Sequence, residues 1–192
     1  MRKRPPDPRK ALLAAVSDYL LEHGLANLSL RPLAAATGTS ARMLVYHFGS
    51  KERLIAEAMN EIRARQQKLA ETWIRRHPAP SFDDFLELVW SWVAAAEHEP
   101  YLRFFLEVLG RGIGDAEPFA EFSRSTFGDW VSWVQRRFEK AGQPAEKAEA
   151  LAILTVSTMR GLALYSVATK NKRGAKQALR AFIQLSRQRR GG

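Results

Sequence analysis

Apolar residues recur along this chain at helical spacing, and no stretch of useful length alternates with the two-residue period of a strand. Leu12, Leu13, Val16, Tyr19 and Leu20 mark one face of a first helix, predicted over about 9–23 and closed by Gly24. Ser29 is placed to cap a short helix, Leu30-Arg31-Pro32-Leu33-Ala34-Ala35-Ala36, which Gly38 ends. Pro32 is tolerated in the first turn, where its missing N–H had no partner. Ser40 caps a third helix, Ala41 to about His47, and Ser50 caps a fourth that runs amphipathically over about 50–76. His77-Pro78-Ala79-Pro80 is the clearest break. Ser81-x-x-Asp84 then reads as a variant capping box before a fifth helix at about 82–97. Pro100 opens a sixth, about 100–109, and Gly110, Gly112 and Gly114 read as a loop. A seventh helix is predicted from about Pro118 to Ala141, and Gly142-Gln143-Pro144 breaks it. Two more follow at about 145–169 and 172–188, so the predicted fold class is all-α.

Charge changes the picture more than composition does. Thirty Lys and Arg stand against twenty Asp and Glu, a formal net charge of +10. The bases are segregated. Residues 1–53 hold nine bases and four acids, 82–122 hold two bases and nine acids, and 170–190 hold eight bases and no acid. A balance this basic points to an anionic partner, nucleic acid or an anionic membrane surface. The chain has 192 residues and no cysteine, which excludes disulfides, thiol catalysis, zinc–thiolate sites and iron–sulfur clusters. Ala11–Val16 is apolar, but Asp18 interrupts it, and no segment is expected to reach the roughly 20 apolar residues of a membrane span. The basic start has no small-residue cleavage site behind it, so a cytoplasmic protein is expected.

Catalytic sets are not in evidence. His23, His47, His77 and His98 are scattered without i, i+4 metal spacing. Gly110-x-Gly112-x-Gly114 follows no predicted strand, which argues against a nucleotide loop. No enzyme, metal or cofactor is expected.

Residues 29–48 carry the functional pattern. They form two short capped helices joined by a tight turn at Gly38-Thr39, with Leu30, Leu33, Ala34, Leu44 and Phe48 free to pack on the first helix. Ala34 and Ala35 are small enough for close helix crossing. That is the grammar of a helix-turn-helix, whose second helix enters the major groove with its N-terminal residues foremost, here Ala41, Arg42 and Met43. Arg31, early in the preceding helix, is within reach of phosphate or base. Lys51 sits at a helix N-terminus, where a cation is unfavourable unless an anion docks there. His47 is a further phosphate candidate.

Gly24–Leu54 resembles the DNA-binding domain of TetR-type transcriptional regulators. The resemblance lies in Leu33-Ala34, Gly38-Thr39-Ser40, Leu44, Tyr46-His47-Phe48 and Ser50-Lys51-Glu52-x-Leu54. It implies a homodimeric, all-helical regulator that reads a double-stranded DNA operator and binds a small-molecule effector in its C-terminal domain. The residues it places at DNA are Arg31, Ser40, Ala41, Arg42, Met43, Tyr46, His47 and Lys51, with Tyr46 on phosphate. Val45 stands where the family commonly has an aromatic, and Met43 where a small hydroxyl residue is usual. Both departures bear on the operator sequence and not on the fold. The implied organisation is a disordered basic tail at 1–8, a DNA-binding domain at 9–53 and an effector-binding and dimerisation domain at 54–192, joined by helix four.

The remaining sequence is rich in aromatic residues, and most of them suit a core. An all-helical domain lined this way favours a largely apolar or aromatic effector. Its candidate contacts are Trp90, Phe104, Glu107, Trp130, Thr155 and Met159. Gly161 and Leu162 in the eighth helix, with Leu179, Phe182 and Ile183 in the ninth, lie on the apolar faces that the resemblance assigns to a four-helix dimer interface. A repressor is the expected function, with no membrane partner. The alternative is a basic helical module that binds RNA or a membrane surface without sequence preference.

Overall fold

The computed structural model describes residues 7–188 apart from Asn27, Pro78, Pro80, Asp115 and Ala116. In chain order the helices are α1 (Pro8–His23), α2 (Leu30–Ala36), α3 (Ala41–Phe48), α4 (Lys51–Arg76), α5 (Phe82–Val93), α6 (Glu99–Gly112), α7 (Phe119–Lys140), α8 (Ala145–Thr169) and α9 (Lys172–Gln188). A 3-10 turn, Ala96–His98, precedes α6, and no strand occurs among the described residues.

Of the expected disordered tail 1–8, residues 1–6 lie outside the described residues, and Asp7 and Pro8 belong to the start of α1. The Asp7 carboxylate accepts from the Arg9 backbone N–H at 3.1 Å, and Pro8 fills the first helical position. An acidic cap followed by proline is a favoured helix start. Other expectations also shift. Ser29 stands at the cap position of α2, but its hydroxyl makes no cap bond. Ala35 is exposed, so only Ala34 serves as a small buried contact. Helix α5 stops at Val93, short of 97. There the His98 ring donates its Nδ1–H to the Trp92 carbonyl at 2.6 Å and packs on the Trp92 indole, which turns the chain. Gly110 and Gly112 are helical, not loop. A Cβ on Gly112 would lie 2.8 Å from the Phe119 carbonyl oxygen, so glycine serves close packing there.

The chain divides into two compact units, residues 1–69 with 100–124 and residues 70–99 with 125–192. This differs from a division at 53/54 because α6 belongs with the N-terminal helices. In the first unit Val16 and Leu20 of α1 are buried, with Leu33 of α2, Leu44 and Phe48 of α3, and Leu54, Ala58, Met59 and Ile62 of α4. Phe104, Phe105 and Val108 of α6 are buried as well.

In the second unit Val134, Phe138, Ala148, Ala152 and Val156 form one buried cluster. Along α8 the buried positions Ala148, Ala152, Val156, Met159, Ala163 and Ser166 follow helical spacing, and Ala175, Leu179 and Ile183 do the same on α9. The opposite side of α8 is apolar too, with Ile153, Leu154, Leu164 and Tyr165 exposed. For that reason α8 is long and apolar enough, by length and composition, to cross a membrane, contrary to the expectation that no segment is.

The inward anchor of α3 is Leu44, which is fully buried. Leu44→Ala is expected to cost roughly 2–5 kcal/mol through lost burial and the cavity left behind. Hydrogen exchange will read this as a loss of amide protection across α1–α3, with α8 and α9 unaffected.

Candidate nucleic-acid interface

The turn between α2 and α3 is closed by its own backbone. The Thr39 N–H donates to the Ala34 carbonyl at 2.9 Å and the Gly38 N–H to the Ala35 carbonyl at 3.3 Å. This pair of bonds needs a left-handed residue between them, and Gly38 supplies it at φ +67°. The Thr37 hydroxyl donates to the Leu33 carbonyl at 2.8 Å, which satisfies another terminal group of α2. Ser40 then starts α3: its hydroxyl oxygen accepts from the Met43 N–H at 3.2 Å.

Helix α3 separates cleanly into two sides. Leu44 and Phe48, one turn apart, point into the core. Arg42, Met43, Val45 and Tyr46 are exposed, Tyr46 by 77%, Val45 by 41% and Met43 by 40%. Ala41 and His47 are half-buried at the margin, and the His47 ring meets Tyr46 and Phe48 edge-on. Arg31 is exposed on α2. Arg42, Met43, Val45 and Tyr46 thus share the outward side of α3, and two of them are apolar. Exposed apolar groups on a groove-reading helix suit contact with thymine methyls.

Three helices meet at Arg9. Its Nε donates to the His47 carbonyl at 3.1 Å, at the C-terminal end of α3. Its Nη2 donates to both carboxylate oxygens of Glu57 in α4, at 2.8 and 2.6 Å. The guanidinium also lies 4.7 Å from the Phe48 ring centroid, a cation–π distance. Sequence reasoning counted Arg9 only as a charge. A signal was available, because a cation in the first turn of a helix is unfavourable without a partner elsewhere. Two further bonds tie α1 to α4: the buried Ser17 hydroxyl lies 3.4 Å from the Ala58 carbonyl, and Arg65 donates to Asp18 at 2.7 Å.

The loop between α1 and α2 is gripped from α6. Glu107 Oε2 accepts from the Leu25 backbone N–H at 2.8 Å, and Arg111 Nη2 donates to the Leu25 carbonyl at 3.1 Å. Arg111 also donates to Glu107 Oε1 at 3.1 Å. Both carboxylate oxygens of Glu107, expected among the effector contacts, are therefore engaged in holding this loop. Gly24 has φ +72°, and a Cβ there would lie 2.6 Å from Glu107 Oε2. Both the conformation and the space demand glycine.

Lys51 is half-buried and lines an open cleft of about 380 Å³ with Leu25, Ile55 and Arg111. The carboxyl of its neighbour Glu52 is held below the ordinary carboxylate range, first by the backbone N–H at the start of α4 and then by the Ser50 hydroxyl. The anion-favouring end of α4 thus already has a carboxylate of its own beside Lys51.

Comparison with known proteins fits this geometry at both ends of the chain. Residues 12–58 match the family model described as bacterial regulatory proteins, tetR family. Residues 78–184, more than half of the chain, match the C-terminal domain described as transcriptional regulator LmrA/YxaF-like. The chain belongs to the TetR family of transcriptional regulators.

Solved structures with the same fold include a transcriptional regulator from Rhodococcus sp. Rha1, at 21% identity and a TM-score of 0.75, covering 93% of this chain and 95% of that one. A TetR-family regulator from Cytophaga hutchinsonii has 15% identity and a TM-score of 0.78, with 92% of each chain covered. GusR of Salmonella enterica has 22% identity and a TM-score of 0.67, covering 95% of this chain and 96% of that one. No functionally curated protein matches.

As a TetR-family regulator the chain carries its DNA-binding helix-turn-helix in the first unit. The expected effector contacts are divided between the two units: Phe104 and Glu107 belong to the first, and Trp90, Trp130, Thr155 and Met159 to the second. Thr155 is buried and donates to the Leu151 carbonyl of its own helix at 2.8 Å. Of the expected dimer contacts, Gly161 is exposed and Leu162 and Phe182 are half-buried. Leu179 and Ile183 are only 1% and 5% exposed, so they pack inside the chain and are not available to a partner. The helical stripe of α9 assigns them to its inner face.

Arg9→Met removes a forked, charge-assisted contact while keeping an apolar stem over Phe48. Partial exposure reduces the effect, and a loss of about 1 kcal/mol is expected. Arg9→Lys is expected to recover little, because an ammonium cannot reproduce the fork. Amide exchange at the C-terminal end of α3 measures both variants, and protection equal to the parent protein in Arg9→Met contradicts the clasp.

Proposed function

We propose that this protein is a cytoplasmic repressor that binds a palindromic operator as a homodimer and releases it on binding a largely apolar small molecule. The observation that carries the DNA-reading part is the outward face of α3, with Arg42, Met43, Val45 and Tyr46 exposed beyond the Ser40 cap. Arg42 reads a guanine edge, since a guanidinium donates two parallel bonds there. Met43 and Val45 supply apolar contact to thymine methyls. Arg31, Ser40, Ala41, Tyr46, His47 and Lys51 hold the backbone on either side.

The dimer forms through the outer faces of α8 and α9. Support comes from exposed Leu154, Gly161, Leu164 and Tyr165 on α8 and Leu185 on α9. Water-exposed apolar groups in one stripe are a cost that a second copy relieves. Two α3 helices then meet successive major grooves, about 34–36 Å apart. The effector lies within the second unit, against Trp90, Trp130 and Met159, and lowers DNA affinity by binding one arrangement of the dimer better than the other.

Arg42→Ala is expected to cost roughly 1–3 kcal/mol on the operator and to relax preference at one base pair. Lys51→Ala is expected to weaken operator and random DNA alike and to flatten the salt dependence by about one unit of slope. Titration of both variants against both DNAs at several salt concentrations checks this. Equal losses for Arg42→Ala on the two DNAs make Arg42 a phosphate clamp only. Uniform binding of RNA and DNA by the parent protein removes the operator reading altogether.

Gly161→Arg tests the dimer without disturbing the fold, because a Cβ at Gly161 meets nothing within 4 Å. Sedimentation is expected to show monomers with reduced operator affinity. A persistent dimer moves the interface off α8.

A further inference from the structure

A second cleft lies in the second unit, on residues that neither the DNA reading nor the apolar effector contacts use. It measures about 440 Å³, within the range of small-ligand sites, and none of its lining residues is acidic. Phe82 and Phe85 of α5 face Trp133 of α7, and Arg136, Arg137 and Lys140 bring three cations from the last turns of α7.

Basic residues at the end of a helix have an ordinary explanation, since they complement the helix dipole. That explanation covers Arg136 and Lys140, which are exposed. It accounts for the position of Arg137 as well, but not for the aromatic contacts that hold its guanidinium. The Arg137 guanidinium lies 3.9 Å from the Phe85 ring centroid and 4.9 Å from the Trp133 ring centroid. These ring contacts take up part of the guanidinium surface, whereas its N–H donors lie in its own plane. No carboxylate and no hydrogen-bond acceptor meets them among the described residues. Burial alone lowers the Arg137 pKa from its ordinary value, with no nearby anion opposing it. The charge is thus partly desolvated, held in place by aromatic rings and left with free directional donors.

The walls are built into the hydrophobic core. Phe82 packs on Phe138 with ring centroids 4.3 Å apart, and Phe85 on Trp133 at 5.1 Å. Phe82 and Trp133 also pack against the buried cluster of Val134, Phe138 and Ala152. These rings are fixed before any ligand arrives, so little ordering accompanies binding.

We propose that this cleft binds a planar aromatic carboxylate of one or two rings. The carboxylate takes paired hydrogen bonds from the edge of Arg137, and the flat apolar body lies along Phe82 and Trp133. Arg136 and Lys140 at the rim add attraction that salt screens. A neutral aromatic compound of the same shape leaves the Arg137 donors unmatched, and a small anion such as acetate leaves the rings bare.

Isothermal titration of the full-length protein with 2-naphthoate, 2-naphthalenemethanol and acetate tests the proposal. One 2-naphthoate per chain is expected, bound at least tenfold more tightly than either comparison compound. Arg137→Gln is expected to weaken 2-naphthoate at least tenfold and to leave 2-naphthalenemethanol unchanged. Arg136→Gln combined with Lys140→Gln is expected to weaken it severalfold, with the difference vanishing at high salt. Equal affinity for the acid and the alcohol overturns the proposal. So does unchanged 2-naphthoate affinity in Arg137→Gln, which places the ligand elsewhere. If Arg137→Gln loses its helical circular dichroism, the double variant decides, and unchanged affinity there overturns the proposal. The outcome is independent of operator binding, since no DNA is present.

Discussion

The posture of the recognition helix depends on one guanidinium. Helix α3 is two turns long, and helices this short are not stable alone. Its inward anchors, Leu44 and Phe48, fix which side faces the core, and the Gly38 turn and Ser40 cap fix its start. Arg9 ties down the other end. It holds the His47 carbonyl, caps the Phe48 ring and is itself held by both oxygens of Glu57. A planar fork that meets a carbonyl, a carboxylate and a ring face at once has essentially one arrangement.

What the sequence made legible follows from the range of the interactions. The helix-turn-helix was readable because its determinants are local. Gly38, Ser40 and the Leu44/Phe48 pair act within a few residues of one another, and each carries a residue-type signature. The Ser81–Asp84 capping box was readable for the same reason. Arg9–Glu57 and Glu107–Leu25 were not, because each joins residues far apart in sequence through a backbone group or a common charged type. Gly112 misled in a related way. Loop glycine and close-packing glycine look alike until the neighbouring Phe119 carbonyl is in place.

Helix α8 shows why apolar content alone is a poor guide to environment. One side meets the core through Ala148, Ala152, Val156 and Met159, and the other side leaves Ile153, Leu154, Leu164 and Tyr165 in water. Periodicity analysis finds a helix with an inside and an outside by contrast between polar and apolar positions. Here the contrast is erased, and membrane-like composition results. Leu179 and Ile183 reverse the same lesson on α9, where the inner face was the apolar one chosen from sequence.

The two grips on the DNA-reading region share a chemical logic. Arg9 takes the His47 carbonyl, and Glu107 with Arg111 takes both the N–H and the carbonyl of Leu25. All of these are main-chain groups. A contact to main chain is indifferent to the side chain it passes, so it constrains where the segment lies and not what it reads. Arg42, Met43, Val45 and Tyr46 can therefore vary without loosening the frame that presents them. The exposed residues of α3 and the residues that hold it in place are separate sets. On the proposed reading, a change at the outward face is expected to alter which bases are favoured, whereas a change at Arg9, Glu107 or Arg111 is expected to alter how firmly any face is offered.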